Sequence, residues 1–196
     1  YTGVAYSGRS RPAPARRRQS EGPRRDTSLD ALGKLRPAFH AAGTVTAGNS
    51  SQTSDGAAAV IIMSDAKAKA LGLTPLARIV STSVTGLSPE VMGHGPAEAI
   101  KLALKRAGKS VDDIDLYEIN EAFAAVAMRF MRDMGISHDI TNVNGGAIAM
   151  GHPLGATGAM ILGTLVDELA RRDQKRGLAT LCVGGGMGIA TIVELV

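Results

Sequence analysis

Apolar and polar positions in the second half of the chain follow two different periods. Residues 96–107, 121–134 and 158–171 carry apolar side chains at helical spacing, and the last of these is apolar almost all round in its first half. Residues 76–84, 114–119, 178–183 and 189–196 have the short apolar or alternating runs of strands, and 141–144 a short extended piece. This order predicts a layered α/β fold with a mixed sheet, in which helix 158–171 is buried between layers.

The first half is predicted in shorter pieces. Residues 27–35 are predicted to form a short capped turn or helix that stops at Pro37, and 43–49 a short strand followed by a polar loop at 50–56. The apolar run 57–64 is the next strand, and 65–71 is a small helix before Gly72. We place a boundary near residues 72–76. Residues 1–25 are rich in Arg, Pro, Gly and Ser without any period, which predicts a flexible segment.

Composition and charge narrow the class of protein. Apolar residues make up 44% of the 196 residues but aromatic ones only 3%, which favours a closely packed aliphatic α/β protein over a β-sandwich. The net charge of +4 resides in residues 1–25, which hold seven arginines against one glutamate, whereas the remainder holds 15 basic and 17 acidic residues. Without interleaved aromatic residues, the arginine-rich tail predicts no nucleic-acid partner.

The sequence also gives expectations about the cellular compartment of the protein and about whether the chain is complete. No apolar run approaches the roughly 18 residues of a membrane span, and no signal peptide is recognisable. With Cys182 as the single cysteine, these features predict a protein of the reducing cytoplasm without a membrane span. A chain that begins at Tyr1 instead of Met is expected of a processed or partial sequence.

Reactive side chains stand beside glycine-rich turns or helix starts in the second half. His152 precedes a helix start, Cys182 ends an apolar strand before three glycines, and Asn120 lies between a strand and a helix. Glycine leaves main-chain N–H groups open to a ligand oxygen. Each residue also has an ordinary alternative: a helix cap or core partner for His152, a small buried apolar residue for Cys182, and an N-cap for Asn120. One cysteine and scattered histidines predict no metal site.

Taken together and in order, three motifs resemble the thiolase family: NEAF at 120–123, NVNGGAIAMGHPLGATG at 142–158 and CVGGGMG at 182–188. The resemblance extends to KLRPAF at 34–39 and TAGNSS at 46–51, and it covers residues 24–196. It implies an α/β thiolase-like layered fold, a mixed sheet with a buried central helix and outer helices. It divides the chain into an atypical basic segment (1–23), the end of the coenzyme A lid region (24–53), the last part of the N-terminal domain (54–74) and the C-terminal domain (75–196).

The resemblance also implies roles for named residues. His152 would activate a nucleophilic cysteine, Cys182 would exchange the proton at the substrate's α-carbon, and Asn120 would hold a water that completes an oxyanion hole with His152. The backbone N–H of Gly184 would serve a second oxyanion hole. Residues implied to line the coenzyme A site are Ser51, Ala47, Met92, Ala122, Phe123 and Arg24.

The implied reaction is thiolysis of a 3-ketoacyl-CoA to acetyl-CoA and a shortened acyl-CoA, or the reverse Claisen condensation. Coenzyme A and acyl-CoA are substrates and no cofactor is covalently bound. Residues 153–157 favour the degradative type, in fatty acid β-oxidation. The full-length parent is expected to be a homo-oligomer, a dimer or tetramer.

The sequence departs from the family at one decisive point. The thiolase nucleophile is a cysteine of the N-terminal half, and no second cysteine exists in these 196 residues. The chain alone is therefore predicted not to turn over, and helix 158–171 to expose an apolar face. Two alternatives stay open: a non-catalytic coenzyme A-binding or interaction protein with a thiolase half-fold, and a hydrolase with a Cys182–His152 dyad.

Overall fold

The computed structural model of the protein describes residues 24–196. The helices of this part are α1 (Leu29–Gly33), α2 (Asp65–Ala70), α3 (Gly95–Ala107), α4 (Ala124–Met134), α5 (Ala147–Met150) and α6 (Thr157–Arg171). Its strands are β1 (Ala77–Gly86), β2 (Leu116–Ile119), β3 (Arg176–Val183) and β4 (Met187–Leu195). Short 3-10 helices occupy Pro89–His94, Val111–Asp113 and His138–Ile140.

The strands form a mixed sheet in the order β1-β4-β3-β2. β4 is antiparallel to both β1 and β3, whereas β2 runs parallel to β3. A parallel pair needs a crossover, and here the crossover from β2 to β3 contains α4, α5 and α6. The predicted α/β fold with a mixed sheet is confirmed.

Helices cover both faces of the sheet because successive strand residues point to opposite sides. On β2, Tyr117 joins the core made with α3 and α4, while its neighbour Leu116 joins the core made with α6. Adjacent residues of β3 divide in the same way, with Leu178 in the first core and Ala179 in the second. The outcome is a sheet with α3 and α4 on one side and α6 on the other.

Helix α6 is buried on its sheet-facing side only. Leu165 and Leu169 are fully buried against the sheet. Residues 158–164, which form the apolar first half of the helix, are half-buried. The helix therefore packs against one layer, the sheet, and not between two layers. Its other side exposes part of an apolar face, as expected if the chain holds only one half of the fold.

The predictions of two strands in the first half of the chain, at residues 43–49 and 57–64, are wrong. Residues 43–46 have no regular structure and 47–49 form a turn, because the Asn49 side chain accepts from Thr46 N at 2.8 Å and donates to Thr44 O at 2.9 Å. Such local bonds replace a strand ladder. The apolar run 57–64 has no regular structure and is exposed, with Ile61 at 87%, because no strand within residues 24–196 lies beside it to complete its hydrogen bonds.

Helix α4 begins three residues later than the predicted start at residue 121. Phe123 has extended backbone angles, and the chain before α4 pairs with an earlier segment. Ser51 N donates to Ala122 O at 2.9 Å, and Ala124 N donates to Asn49 O at 2.9 Å. The hydrogen bonds that would have extended the helix are used to hold residues 49–51 instead.

Among residues 24–196, no helix has the length and apolar character required to cross a membrane.

Candidate functional site

Three chain segments meet at the carboxyl end of β2. Asn120 follows β2 directly, and its N–H donates to Thr180 O of β3 at 3.0 Å, so it continues the parallel ladder by one residue. His152 lies after α5 and donates from its main-chain nitrogen to Gln52 O at 3.3 Å. Residues 49–53 thus contact both the chain after β2 and the chain after α5. The topology brings Asn120 and His152 into contact although 32 positions separate them.

Both nitrogens of the His152 imidazole have partners. Nδ1 lies 2.7 Å from the Thr157 hydroxyl oxygen, and Nε2 lies 3.3 Å from the amide nitrogen of Asn120. The Thr157 hydroxyl donates to Pro153 O at 2.9 Å, so it must accept from Nδ1–H. This assignment leaves Nε2 as the unprotonated nitrogen, which accepts from Asn120.

The charge state of His152 follows from its surroundings. Burial lowers the pKa of the imidazole below its ordinary value. A lowered pKa keeps the ring neutral at physiological pH, and a neutral ring with an unprotonated Nε2 can accept a proton. His152 therefore has the properties of a general base.

Cys182 lies near the end of β3 opposite Gly188 and is only 7% exposed. Burial raises the pKa of its thiol. No side chain in residues 24–196 forms a hydrogen bond with the thiol, so Cys182 and His152 do not form the hydrogen-bonded dyad that the hydrolase alternative requires. At neutral pH the thiol is therefore protonated, the form that can donate a proton.

Gly184 lies in the turn between β3 and β4. It is exposed, and its two followers Gly185 and Gly186 have positive φ values of 87° and 86°. Leu87 N donates to Gly186 O at 2.8 Å, which fixes the turn against the end of β1. The Gly184 main chain is open to a ligand, as an oxyanion role would require.

The residues proposed for coenzyme A only partly converge. Ser51 bonds to the main chain of Ala122, and Phe123 packs edge-on against Phe39 with ring centroids 6.2 Å apart. Ala47 is exposed in a neighbouring turn, beside the glycine that packs on α1.

Met92 and Arg24 lie in other segments of the chain. Met92 is half-buried in the 3-10 helix Pro89–His94, which packs against α4. Arg24 forms an exposed ion pair with Asp26 at 2.9 Å.

A carboxylate that the sequence reasoning did not assign fixes the loop between His138–Ile140 and α5. Glu121 accepts from the Asn142 amide at 2.9 Å and from Ile148 N at 3.3 Å. Asn142 in turn bonds to both main-chain groups of Ile119 at 2.8 Å, so its side chain acts as one residue of an additional strand. A Cβ at Gly146 would overlap the Glu121 carboxylate, so a larger residue there would displace this side chain from its hydrogen bonds. The acidic residue beside Asn120 and the Asn-rich loop were the signals available in the sequence.

Glu168 anchors the same loop to α6. Its carboxylate is only 3% exposed and accepts from Asn144 at 3.0 Å and from Arg171 Nε at 2.8 Å, with Arg172 as a third partner. The hydrogen bond from Arg171 is the largest cause that lowers the pKa of Glu168, to about 2. The i,i+3 and i,i+4 spacing to two arginines could have indicated this cluster in the sequence.

Replacing Glu168 by glutamine should lower the free energy of unfolding at pH 7 by about 2 kcal/mol, because hydrogen bonds to a charged group are the stronger ones. The folded pKa lies below the ordinary 4.5, so the contribution of the carboxylate is present above that value and is lost as the pH falls towards 2. Urea unfolding followed by circular dichroism at pH 7 and pH 3 measures both effects.

The matched control is Glu98→Gln, which breaks an exposed pair with Lys101 and should change stability by a few tenths of a kcal/mol. Equal losses for the two variants would contradict an anchoring role of Glu168.

No group of three or more His, Cys, Asp or Glu side chains within residues 24–196 is arranged to hold a metal ion.

The fold and site define an α/β protein with a polar cluster at the ends of parallel strands, and comparisons give its family. The family profile described as "Thiolase, C-terminal domain" matches residues 73–195, and "Thiolase, N-terminal domain" matches residues 10–66. The chain therefore belongs to the thiolase family, as the motifs implied.

Individual relatives also belong to the thiolase family. The chain is 56% identical over 177 residues to a 3-ketoacyl-CoA thiolase of Bacillus subtilis (strain 168), a match covering 90% of this chain and 45% of the relative. It is 57% identical over 171 residues to an acetyl-CoA acetyltransferase of Paracoccus denitrificans, covering 87% and 44%. The chain thus spans somewhat less than half the length of these relatives.

Solved structures share the fold. The acetyl-CoA acetyltransferase of Bacillus anthracis superposes with a TM-score of 0.86 at 48% identity, covering 90% of this chain and 45% of that one. Human mitochondrial 3-ketoacyl-CoA thiolase in complex with CoA superposes with a TM-score of 0.83 at 49% identity, with the same coverage. The predicted thiolase-like fold is confirmed.

Proposed function

We propose that this chain supplies the acid–base and coenzyme A-binding part of a thiolase, an acyltransferase that cleaves a 3-ketoacyl-CoA to acetyl-CoA and a shortened acyl-CoA or runs the reverse condensation. The observation that carries the proposal is the contact between Asn120 and His152, in which Nε2 of a neutral imidazole faces an amide donor. A base with an unprotonated nitrogen beside a fixed donor can take a proton from a thiol. Once protonated, it can donate a hydrogen bond to a thioester oxygen.

The nucleophile must come from outside these residues. Cys182 is the single cysteine of the 196-residue sequence, and its raised pKa suits proton donation better than attack on a thioester. In the proposed reaction a cysteine thiol of the N-terminal half loses its proton to His152 and attacks the ketone carbon, while Cys182 protonates the departing α-carbon of acetyl-CoA. The second coenzyme A thiol then releases the acyl group.

Coenzyme A is proposed to lie along Ser51 and Ala47 and to pass Ala122 and Phe123 towards the turn at Met92, with Arg24 near the nucleotide. The pairing of residues 49–51 with the main chain around Ala122 supports this path, because it places Ser51 directly beside Ala122. The wider biological proposal is fatty acid β-oxidation in the cytoplasm, by a homo-oligomeric full-length parent.

Thiolysis assays on two proteins test the proposal. The isolated 196-residue chain should cleave acetoacetyl-CoA no faster than buffer, because it lacks the nucleophile. A chimera that joins the cysteine-bearing first part of the Bacillus subtilis 3-ketoacyl-CoA thiolase to residues 24–196 should cleave it, since each protein contributes one part of the site. The relative itself is the positive control.

Two results would contradict the proposal. Thiolysis by the isolated chain would show that no second cysteine is needed. A folded chimera that binds coenzyme A in calorimetry and is inactive would favour the alternative, a non-catalytic coenzyme A-binding protein with a thiolase half-fold.

A further inference from the structure

A cavity of about 30 Å³ lies between β2 and α6, and two buried polar side chains line it. Leu116, Glu118 and Asn120 are alternate residues along one strand direction, so they point to the same face of the sheet, the face that α6 covers. Glu118 is 5% exposed and Asn120 is 2% exposed. From α6 the cavity is lined by Thr157 and by the apolar Met160 and Ile161, among others.

Both polar side chains have hydrogen-bonding capacity that the described residues do not use. Asn120 Oδ1 is buried and accepts no hydrogen bond from any residue in 24–196. The Glu118 carboxyl group makes no hydrogen bond with these residues either, and the groups that act on it are the carboxylates of Glu121 and Glu168. Buried polar groups in folded proteins are almost always paired, with protein or with ordered water.

The cavity has room for a bound water molecule, and it offers that water polar partners from β2 and from α6. We propose that a water bound in this cavity joins the Glu118 carboxyl group to Asn120 Oδ1, and that Glu118 is thereby a positioning residue that keeps the Asn120 amide hydrogens directed at His152. In this arrangement the carboxyl O–H donates to the water, and the water donates to Oδ1.

The charge state of Glu118 fits this direction of hydrogen bonding. Burial, together with the carboxylates of Glu121 and Glu168, raises its pKa to about 8. The carboxyl group is therefore protonated at neutral pH and can donate. No negative charge is then left unpaired beside the apolar surface of α6.

The consequence for His152 concerns which ring nitrogen carries the proton. With Oδ1 held at the cavity, Asn120 presents Nδ2 to His152 at 3.3 Å, and Nε2 has to accept. A rotated amide would present Oδ1 instead and would require a proton on Nε2. This inference deepens the proposed function, on which the role of His152 rests, but its test reads the imidazole and not acyl transfer, so the two can fail separately.

Long-range ¹H–¹⁵N spectra of the complete 196-residue chain report the tautomer of His152. The chain and its Glu118→Gln variant should both hold the Nδ1–H tautomer at neutral pH, because the glutamine amide can still donate to the water. Glu118→Met, which keeps the volume and removes the polar group, should shift the tautomer ratio towards Nε2–H by about threefold to tenfold, the worth of one hydrogen bond.

Thr180→Val is the matched control, since it removes a different buried polar group of the sheet, one that bonds to Ile189 O at 2.7 Å. It should leave the tautomer ratio unchanged. An unchanged ratio in a folded Glu118→Met variant overturns the proposal, and so does an equal shift in Thr180→Val or in Glu118→Gln.

A second measurement applies even if Glu118→Met does not fold. In the unmodified chain, cross-relaxation with bound water should appear at the Ile161 methyl groups and at the side-chain amide of Asn120, which both border the cavity. No water signal at either group overturns the proposal.

Discussion

Gly188→Ala should lower the free energy of unfolding by about 3 kcal/mol, the upper part of the range for overpacking a closely fitted interior. A Cβ at this position would overlap the main-chain carbon and oxygen of Gly95 and come within 2.5 Å of Pro96 N. All three are backbone atoms at the start of α3, so no flexible side chain can move aside. The methyl group would force α3 away from β4, and α3 carries a large part of the first core.

Thermal and urea unfolding followed by circular dichroism measure this loss. Gly184→Ala is the matched control, because the same added methyl group would meet nothing within 4 Å and the backbone there does not have positive φ. We expect Gly184→Ala to change stability by less than about 1 kcal/mol, as at an ordinary exposed site. Equal effects of the two substitutions would show that the close approach of β4 to α3 does not determine stability.

The sheet and its helices could be predicted from the sequence because their periods are set by burial. β1, β3, β4, α3 and α6 all have an apolar side that packs in one of the two cores. A pattern of apolar residues predicts a strand or helix reliably when the partner surface lies in the same chain. The run 57–64 shows the converse: its residues are as apolar as those of β3, but no strand within residues 24–196 lies beside it to supply hydrogen bonds.

The candidate site could be predicted only in part. His152 and Asn120 could be identified because each stands in a short motif, next to glycine for His152 and between a strand and a helix for Asn120. Their contact depends on residues 49–53, which pair with both the chain after β2 and the chain after α5. The supporting groups could not be predicted in the same way. Glu118 lies within a strand and Glu168 within a helix, where acidic residues are ordinarily solvent-exposed, so only the packing of α6 on the sheet shows that both are buried.

The supporting carboxyl groups differ in charge although they lie on the same side of the sheet. Glu168 has two arginines and an amide as donors, and its pKa falls to about 2. Glu118 has no cationic partner in the part of the chain that the structure describes, and burial together with the carboxylates of Glu121 and Glu168 raises its pKa to about 8. A charged carboxylate therefore holds the loop at Asn144, while a neutral carboxyl group lies beside Asn120. Environment, not residue type, separates a structural anchor from a proton donor here.

His152→Ala in the thiolase chimera should lower the rate of acetoacetyl-CoA thiolysis about a thousandfold, within the range for loss of a general base. The physical reason is that the imidazole both accepts the thiol proton through Nε2 and, once protonated, donates to the thioester oxygen. Thr157→Val should cause a smaller loss, because it removes only the acceptor of Nδ1–H at 2.7 Å and leaves the ring in place. Steady-state rates across pH 6 to 9 measure both.

His138→Ala provides the matched control for that prediction, since His138 is exposed in a 3-10 helix and makes no contact with Asn120 or Thr157 through a hydrogen bond. Its rate should equal that of the unmodified chimera. Because burial lowers the pKa of His152, the unmodified rate should fall as the pH drops below that lowered value and the ring becomes protonated. A folded His152→Ala chimera that kept its full rate would exclude His152 as the base, and the site would then need another proton acceptor within reach of the nucleophile.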